Sequence, residues 1–567
     1  MTSFGAVRRA LVALFLSAAW GSCTTVTNET DIIDIATNRT FDYVIAGAGL
    51  SGLTVGNKLS GAGFSVLIIE AGPDGSWNPA ISYAEDRVWG DTFCNWKYPA
   101  YAENGTQLKW KVDSGACIGG STSINGMVWY RPAKAELDKL ESLGNPGWNW
   151  NNLLPYFEAS ERVIPPSPDQ VAQGAGTVPG AHGSDGVVNT SYPTPLSIPK
   201  AVNLYKQAVS LTFPGLAVGE DLSDRDSVSS ATTLYTVWYD PATGKHRRSS
   251  AADGYLWDPN QQRAGLFVLT THKIDKVLFR NDTTATGVSF LPTNSSSSSF
   301  ETLEVYARKG VILSAGSLAS APILERSGIG RSDVLKAAGI EQLIDLPGVG
   351  ANLNDQPGTG TSALVAEGYQ SDTGIINKRG FFAPEISLIS VNELWPGVPV
   401  VELLADSGGE TLFTAFWPLL TLSRGHIHID TSDPLVHPLI TPRLLEDSFD
   451  AAVAISIARA SRSVFSSPPF KGIVANAYYD PAIGPNGTDA EYLAWYKSSM
   501  FGASHWIGST SMMPRHLGGV VDHRLRVYGT KQLRVVDAGI LPLQLTSHTM
   551  STLYAVSARA ADLILDN

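Results

Sequence analysis

The stretch from Tyr43 to Glu70 constrains this chain more than any other. Tyr43-Val44-Ile45-Ala46 is a short apolar run that stops at glycine, the pattern of a buried strand. Gly47-Ala48-Gly49-Leu50-Ser51-Gly52 then opens an amphipathic segment through Lys58 and Leu59, a helix that Gly61 and Gly63 break. Ser65-Val66-Leu67-Ile68-Ile69 is a second apolar run and ends at Glu70. Together they form a βαβ unit in which each part has a task at a dinucleotide. Gly47 permits the tight turn, Gly49 lets the backbone approach a pyrophosphate, and Gly52 lets helix and strand pack closely. Amides at the helix start, around Leu50 and Ser51, point at the phosphates, and the helix dipole favours negative charge there. Glu70 stands where a carboxylate accepts hydrogen bonds from a ribose diol.

With 567 residues, the chain is too long for one compact core. A net charge of -12 argues against nucleic acid, whose phosphates demand a basic face. Arg8 and Arg9 precede the short apolar run Ala10 to Trp20, which ends in small residues near Gly21 to Cys23. That is the pattern of a secretory signal over residues 1–23, too short to span a membrane, and no later apolar run has transmembrane length. Asn-x-Ser/Thr sequons begin at Asn28, Asn38, Asn104, Asn189, Asn281, Asn294 and Asn486, consistent with a glycosylated, extracellular protein. Of three cysteines, Cys23 sits at the signal's edge. Cys94 and Cys117 form either a bridge, which suits an oxidising compartment, or two buried thiols.

Further strand patterns recur at Leu266 to Thr270, Val305 to Leu313 and Leu533 to Val536, so the nucleotide unit is assembled from distant pieces of chain. Pro165 to Gly186, Pro396 to Gly409 and the serine run Ser295 to Ser299 read as connecting loops.

Gly115 to Pro132 reads Gly-Ala-Cys-Ile-Gly-Gly-Ser-Thr-Ser-Ile-Asn-Gly-Met-Val-Trp-Tyr-Arg-Pro. It resembles the first signature of the glucose-methanol-choline (GMC) oxidoreductases, with Ala116 where a basic residue or Asn is usual. Gly316 to Gly330 resembles the second signature, with Ala321 in place of Pro or Ser. Leu346 to Gly350 and Asn352 to Asp355 match a further segment, with Gln356 in place of the frequent His. His505-Trp506-Ile507-Gly508, Met512-Met513-Pro514, Val535 to Gly539 and Ser547-His548 complete the resemblance, which runs from Phe41 to the end.

The resemblance implies an α/β architecture: a Rossmann-like FAD domain of residues 39–147, 241–356 and 498–567, and a substrate domain of 148–240 and 357–497 on an antiparallel sheet with helices. It implies FAD held by Gly47, Gly49, Leu50, Ser51, Gly52, Glu70, Gly119, Gly120, Ser121, Thr122, Asn125, Gly126, Ile274, Asp537 and Ala538. The FAD is expected to be noncovalent, because no His or Tyr sits in a flavin-attachment motif; Cys117, just before Gly119-Gly120, is the one residue at which a thioether is the alternative. No metal site is expected: His426 and His428 would share one face of a strand, but no convergent third ligand is visible, and with His437 they read as structural.

Oxidising an alcohol removes a hydroxyl proton and a hydride from one carbon, so the protein must supply a proton acceptor and a second group that fixes the oxygen. Histidine suits both tasks. The resemblance assigns His505 as base and His548 as the second partner of the hydroxyl. The expected partners are a small-molecule alcohol and an electron acceptor, either oxygen or a quinone-like molecule. Two rival readings are a lyase that keeps FAD as scaffold and a binding protein without activity; intact His505 and His548 weigh most against the second. Where glucose-oxidising members carry Arg and Asn ahead of the base, this chain has Phe501 and Ala503, and Ala415 stands at an acidic sugar contact. A glucose hydroxyl buried without a partner costs about 1–3 kcal/mol. These positions therefore favour an aryl, allylic or secondary-metabolite alcohol, with a sugar as the alternative.

Overall fold

The computed structural model describes residues 24–25, 37 and 39–566, apart from 89–92, 195, 197–199, 215, 224–228, 295–301, 367–384, 391–397, 409–410, 481–482 and 485. The signal segment, Cys23, Asn28, Asn38 and the serine run lie outside the described residues.

The βαβ unit forms as its pattern predicts: β1 (Thr40–Ala46), α1 (Leu50–Gly61) and β2 (Val66–Ile69). Ile45 pairs in parallel with Ile68 on one side and Ile312 on the other, and Val44 and Ile45 are fully buried. Burial on both faces is why these strands read as unbroken apolar runs. Gly47 has φ +96°, and a Cβ there would lie 2.6 Å from Ser314 O. A Cβ on Gly52 would lie 2.0 Å from Gly47 O. A side chain at Gly47 would strike the backbone that follows Leu313, and one at Gly52 would push the helix off the strand.

The first sheet continues through β3 (Leu266–Leu269), β4 (His272–Phe279), β5 (Ala285–Pro292) and β6 (Leu303–Leu313). Its order is β3-β2-β1-β6-β5-β4, with the parallel strands beside β1 and an antiparallel meander at the far edge.

A second, antiparallel sheet is built from β7 (Pro357–Val365), β8 (Glu385–Ser390), β9 (Pro399–Gly408) and β10 (Thr411–Pro418). The helix α2 (Ser448–Phe465) covers it, and β11 (Val474–Asp480) adds an edge. After α3 (Asp489–Ser499), the short β12 (Phe501–Gly502) pairs with Pro357 and Gly358 of β7. The chain then returns to the first sheet as β13 (Leu533–Val535) beside β6, and closes with α4 (Met550–Leu565). Helix α4 packs on α1, where Ser557 Oγ donates to Ser51 Oγ at 2.9 Å.

One expectation is corrected. Within the stretch read as a connecting loop, Pro399–Gly408 is strand β9, paired with both β8 and β10; Pro396, Gly397 and Gly409 lie outside the described residues. Proline and glycine mark only its ends, and between them Val400, Val401 and Leu403 are buried. A strand covered on both faces lacks the alternation that would have revealed it.

Candidate active site

The amides of the first turn of α1 have no carbonyl within the helix to meet. They open, with no acidic residue in that turn, on a cavity of about 1270 Å³ between the two sheets. Gly47, Gly49, Leu50, Ser51, Glu70, Gly120, Ser121, Thr122, Asn125, Gly126, Ile274, Asp537, Ala538, His505 and His548 all line it. Gly52 and Gly119 do not; they shape it from behind.

The end of the cavity at α1 is made of backbone. A Cβ on Gly120 would lie 2.8 Å from Gly49 Cα, so the two loops meet this closely only because residue 120 is glycine. Gly119 N–H donates to Ala48 O at 2.8 Å. Thr122 turns its hydroxyl away, to Gly119 O at 2.6 Å, which leaves Ser121 as the exposed hydroxyl of the pair. Glu70 is buried and accepts the N–H groups of Ala48 (2.7 Å) and Gly72 (2.8 Å). Burial pushes its carboxyl up to about 7 against those two bonds. Asp537, which also lines the cavity, is likewise bonded to protein donors. It accepts from Ser320 Oγ (2.5 Å) and the amides of Gly316 (3.0 Å) and Gly539 (2.8 Å), and burial lifts it to about 6. Its task is to hold the 316 loop against the 538 turn.

Asn125 is fixed by Arg248, a buried guanidinium absent from the sequence-based expectations. Its Nη1 donates to Asn125 Oδ1 (2.8 Å), Asn125 O (3.0 Å) and Thr122 O (3.2 Å), and its Nε to Ile81 O (2.9 Å). Burial, with Arg87 nearby, pushes this guanidinium down to about 9. Cys94 and Cys117 are joined as a disulfide beneath the same loop, which settles the open alternative and removes Cys117 as a free thiol.

At the other end the two histidines face each other, ring centroids 4.8 Å apart and planes at 72°. They come from different elements. His505 follows β12, and its peptide is held by a buried carboxylate: Asp355 Oδ1 accepts His505 N–H at 2.8 Å and Oδ2 accepts Ser504 N–H at 3.0 Å. That clamp supports the left-handed Ser504 (φ +64°). His505 Nδ1 lies 2.6 Å from Gln356 Oε1. Burial, reinforced by His548, holds the His505 pKa well below the usual range. His548, just ahead of α4, has its Nε2 2.8 Å from Glu402 Oε1. The other oxygen of Glu402 accepts from Tyr130 OH at 2.7 Å. One ring therefore meets a neutral amide and the other a fully buried carboxylate.

Around this pair, Leu404, Phe413, Ala415, Trp417, Phe501 and Ala503 line the cavity. Phe413 and Phe501 remain 38% and 41% exposed, which places them at its mouth. Their rings lie across Gly360 and Gly358 of β7, where a Cβ would lie 2.4 and 2.7 Å from the ring atoms. Phe416 is wholly buried instead. Of the histidines read as structural, His428 bonds Glu325 at 2.6 Å and stacks on His426. His437 lies outside any strand and lines the cavity, edge-on to Tyr98 at 5.1 Å.

Sequence models of the GMC oxidoreductases match residues 41–358 and 421–557. Glucose oxidase 2 of Penicillium expansum is 33% identical over 93% of this chain and 92% of its own length. The chain belongs to the GMC oxidoreductase family. A glucose oxidase-like protein, fsoC, of Humicola fuscoatra is 34% identical over 92% of this chain and 95% of its own. Among solved structures, an FAD-dependent oxidoreductase from Chaetomium thermophilum superposes with a TM-score of 0.82 at 28% identity, covering 93% of this chain and 99% of the other. A fungal aryl-alcohol oxidase shares the fold, with a TM-score of 0.80 at 23% identity over 93% and 99%. This GMC protein is accordingly an FAD-dependent oxidoreductase with a Rossmann-like fold. The glycine-walled cavity and the open amides of α1 fit that dinucleotide. No helix among the described residues is long and apolar enough to cross a membrane.

Proposed function

We propose that this chain is a secreted enzyme that oxidises the CH–OH group of a small alcohol, with His505 as the base. The reading rests on one observation: two histidines face each other at 4.8 Å at the end of a cavity that begins at α1 and Glu70, one on an amide and one on a carboxylate. An amide partner favours the neutral ring, which accepts a proton, and the carboxylate of Glu402 holds the His548 ring in place beside it. His505 then takes the hydroxyl proton while His548 orients the oxygen. FAD, when bound, supplies the two-electron acceptor for the hydride.

For that cofactor, the amides of Gly49, Leu50, Ser51 and Ser121 would hold phosphate, with Gly120, whose N–H is spent on Cys117 O at 2.8 Å, leaving room for it, and Glu70 would meet the ribose. Ile274 lies at the same end, and Asn125 and Gly126 would lie beside the flavin. Residues 148–240 and 357–497, with the second sheet, are taken as the substrate domain and 39–147, 241–356 and 498–567 as the cofactor domain, with β12 crossing over to pair with β7. Secretion is supported by the N-terminal pattern, the disulfide and exposed sequons at Asn104, Asn281 and Asn486. The final acceptor is oxygen or a quinone-like molecule.

The substrate is an aryl, allylic or secondary-metabolite alcohol. Phe413, Phe501 and Trp417 offer ring faces, and Ala415 and Ala503 offer no polar contact. Glucose is the second reading, favoured by the 33% identity to a glucose oxidase. Anaerobic mixing of the purified protein with candidate alcohols tests the reading, which requires that at least one bleaches the oxidised flavin. A flavin that stays oxidised with every alcohol and sugar would instead favour the lyase or the binding protein.

A further inference from the structure

We propose that Gln356 fixes the tautomer of His505 and thereby makes Nε2 the proton-accepting atom. The inference rests on the reading of His505 as base; it adds which atom accepts and what selects it.

The Leu419 carbonyl can only accept, and Gln356 Nε2 donates to it at 3.0 Å. Leu419 itself is tied to Val400 O of β9 by its N–H at 2.8 Å. With its nitrogen committed, the Gln356 amide presents Oε1 to His505 Nδ1 at 2.6 Å. An amide oxygen only accepts, so Nδ1 carries the hydrogen. A neutral imidazole has one N–H, and Nε2 is left with its lone pair. A ring without such a partner favours the opposite tautomer in water, with Nε2 protonated and unable to take a proton.

The remaining contacts set the place of the ring and not its tautomer. Asp355 takes the main-chain amides of Ser504 and His505, and Gln544 Nε2 donates to His505 O at 3.1 Å. The His548 ring faces His505 from the start of α4 with Glu402 behind it. Gln356 is fully buried, so water does not compete for Nδ1. Gln356 is thus a positioning residue: it touches the base and acts through it.

The test is 15N NMR of the FAD-loaded protein labelled at histidine, with the His505 signals identified by their loss in His505→Gln. Wild type must show Nδ1 protonated and Nε2 bare. Gln356→Met, similar in size and with only a weakly accepting thioether, should shift the ring toward the Nε2–H form. It should also slow flavin reduction about 10-fold or more, with substrate affinity changed less than about twofold. Gln356→Glu restores an acceptor at Nδ1 and should retain the wild-type tautomer. An Nε2–H ring in wild type overturns the proposal even if Gln356→Met fails to fold, and so does an unchanged tautomer in Gln356→Met. Failure of the base reading is separate: His505→Ala would then reduce flavin normally, whatever tautomer the spectra record.

Discussion

His548 Nε2 meets the buried carboxylate of Glu402 at 2.8 Å, so this histidine of the facing pair is anchored to the second sheet. Glu402→Gln keeps the volume and removes the charge. Losing a charge-assisted bond should slow flavin reduction about 10- to 100-fold while FAD stays bound. Stopped-flow absorbance of the variant checks this, and a rate within about twofold of wild type would remove Glu402 from the account.

A second prediction concerns pH and lies away from the cavity. His182 is flanked by Glu161 (2.9 Å from Nδ1) and Asp221 (2.6 Å from Nε2), with Arg131 and Thr190 also on Glu161. Burial opposes its charge, but the bonds to Asp221 and Glu161 prevail and push it up to about 9. The folded pKa exceeds the unfolded one, so this stabilisation is complete below about 6.5 and lost as pH rises through about 9. Its size is on the order of 3 kcal/mol. Tm should fall between pH 7 and 9.5, and His182→Gln should be less stable at pH 7 with a flatter profile. Parallel melting profiles for the two proteins would contradict this.

The Cys94–Cys117 bridge leaves Cys117 with no thiol to attach flavin. Acid precipitation should therefore leave yellow flavin in the supernatant, and thiol titration in denaturant should find neither cysteine free. The bridge stabilises the fold by about 3 kcal/mol through the loop it closes, so Cys94→Ser/Cys117→Ser should unfold at lower temperature. Flavin retained in the pellet would show a covalent link.

Substrate preference follows from the cavity mouth. With one dye acceptor, kcat/KM for a benzylic alcohol should exceed that for glucose, and Phe501→Ala should lower it by about 10-fold. A tenfold preference for glucose would refute the weight given to Phe501, Ala503 and Ala415.

The local chemistry was legible before the fold. Gly47 to Glu70 carries its meaning in consecutive residues, and the sheet-centre strands were plain as apolar runs. His505 and His548, which the fold brings face to face, were singled out by their flanking motifs. What escaped depends on partners remote in sequence: Tyr130 and Glu402 are 272 positions apart, and Arg248 and Asn125 are 123 apart. Glu402 also sits in the stretch read as a loop, because its proline and glycine boundaries masked a doubly buried strand. Gln356 stood out only as a departure from the frequent His. Its role depends on Leu419 and His505, which no local pattern joins to it.

The central claim is that His505 takes the proton, and His505→Ala tests it most directly. Stopped-flow reduction of the FAD-loaded variant by its best alcohol at neutral pH should be slower than wild type by about 100-fold or more, with unchanged FAD content. Reduction within about twofold of the wild-type rate would contradict it.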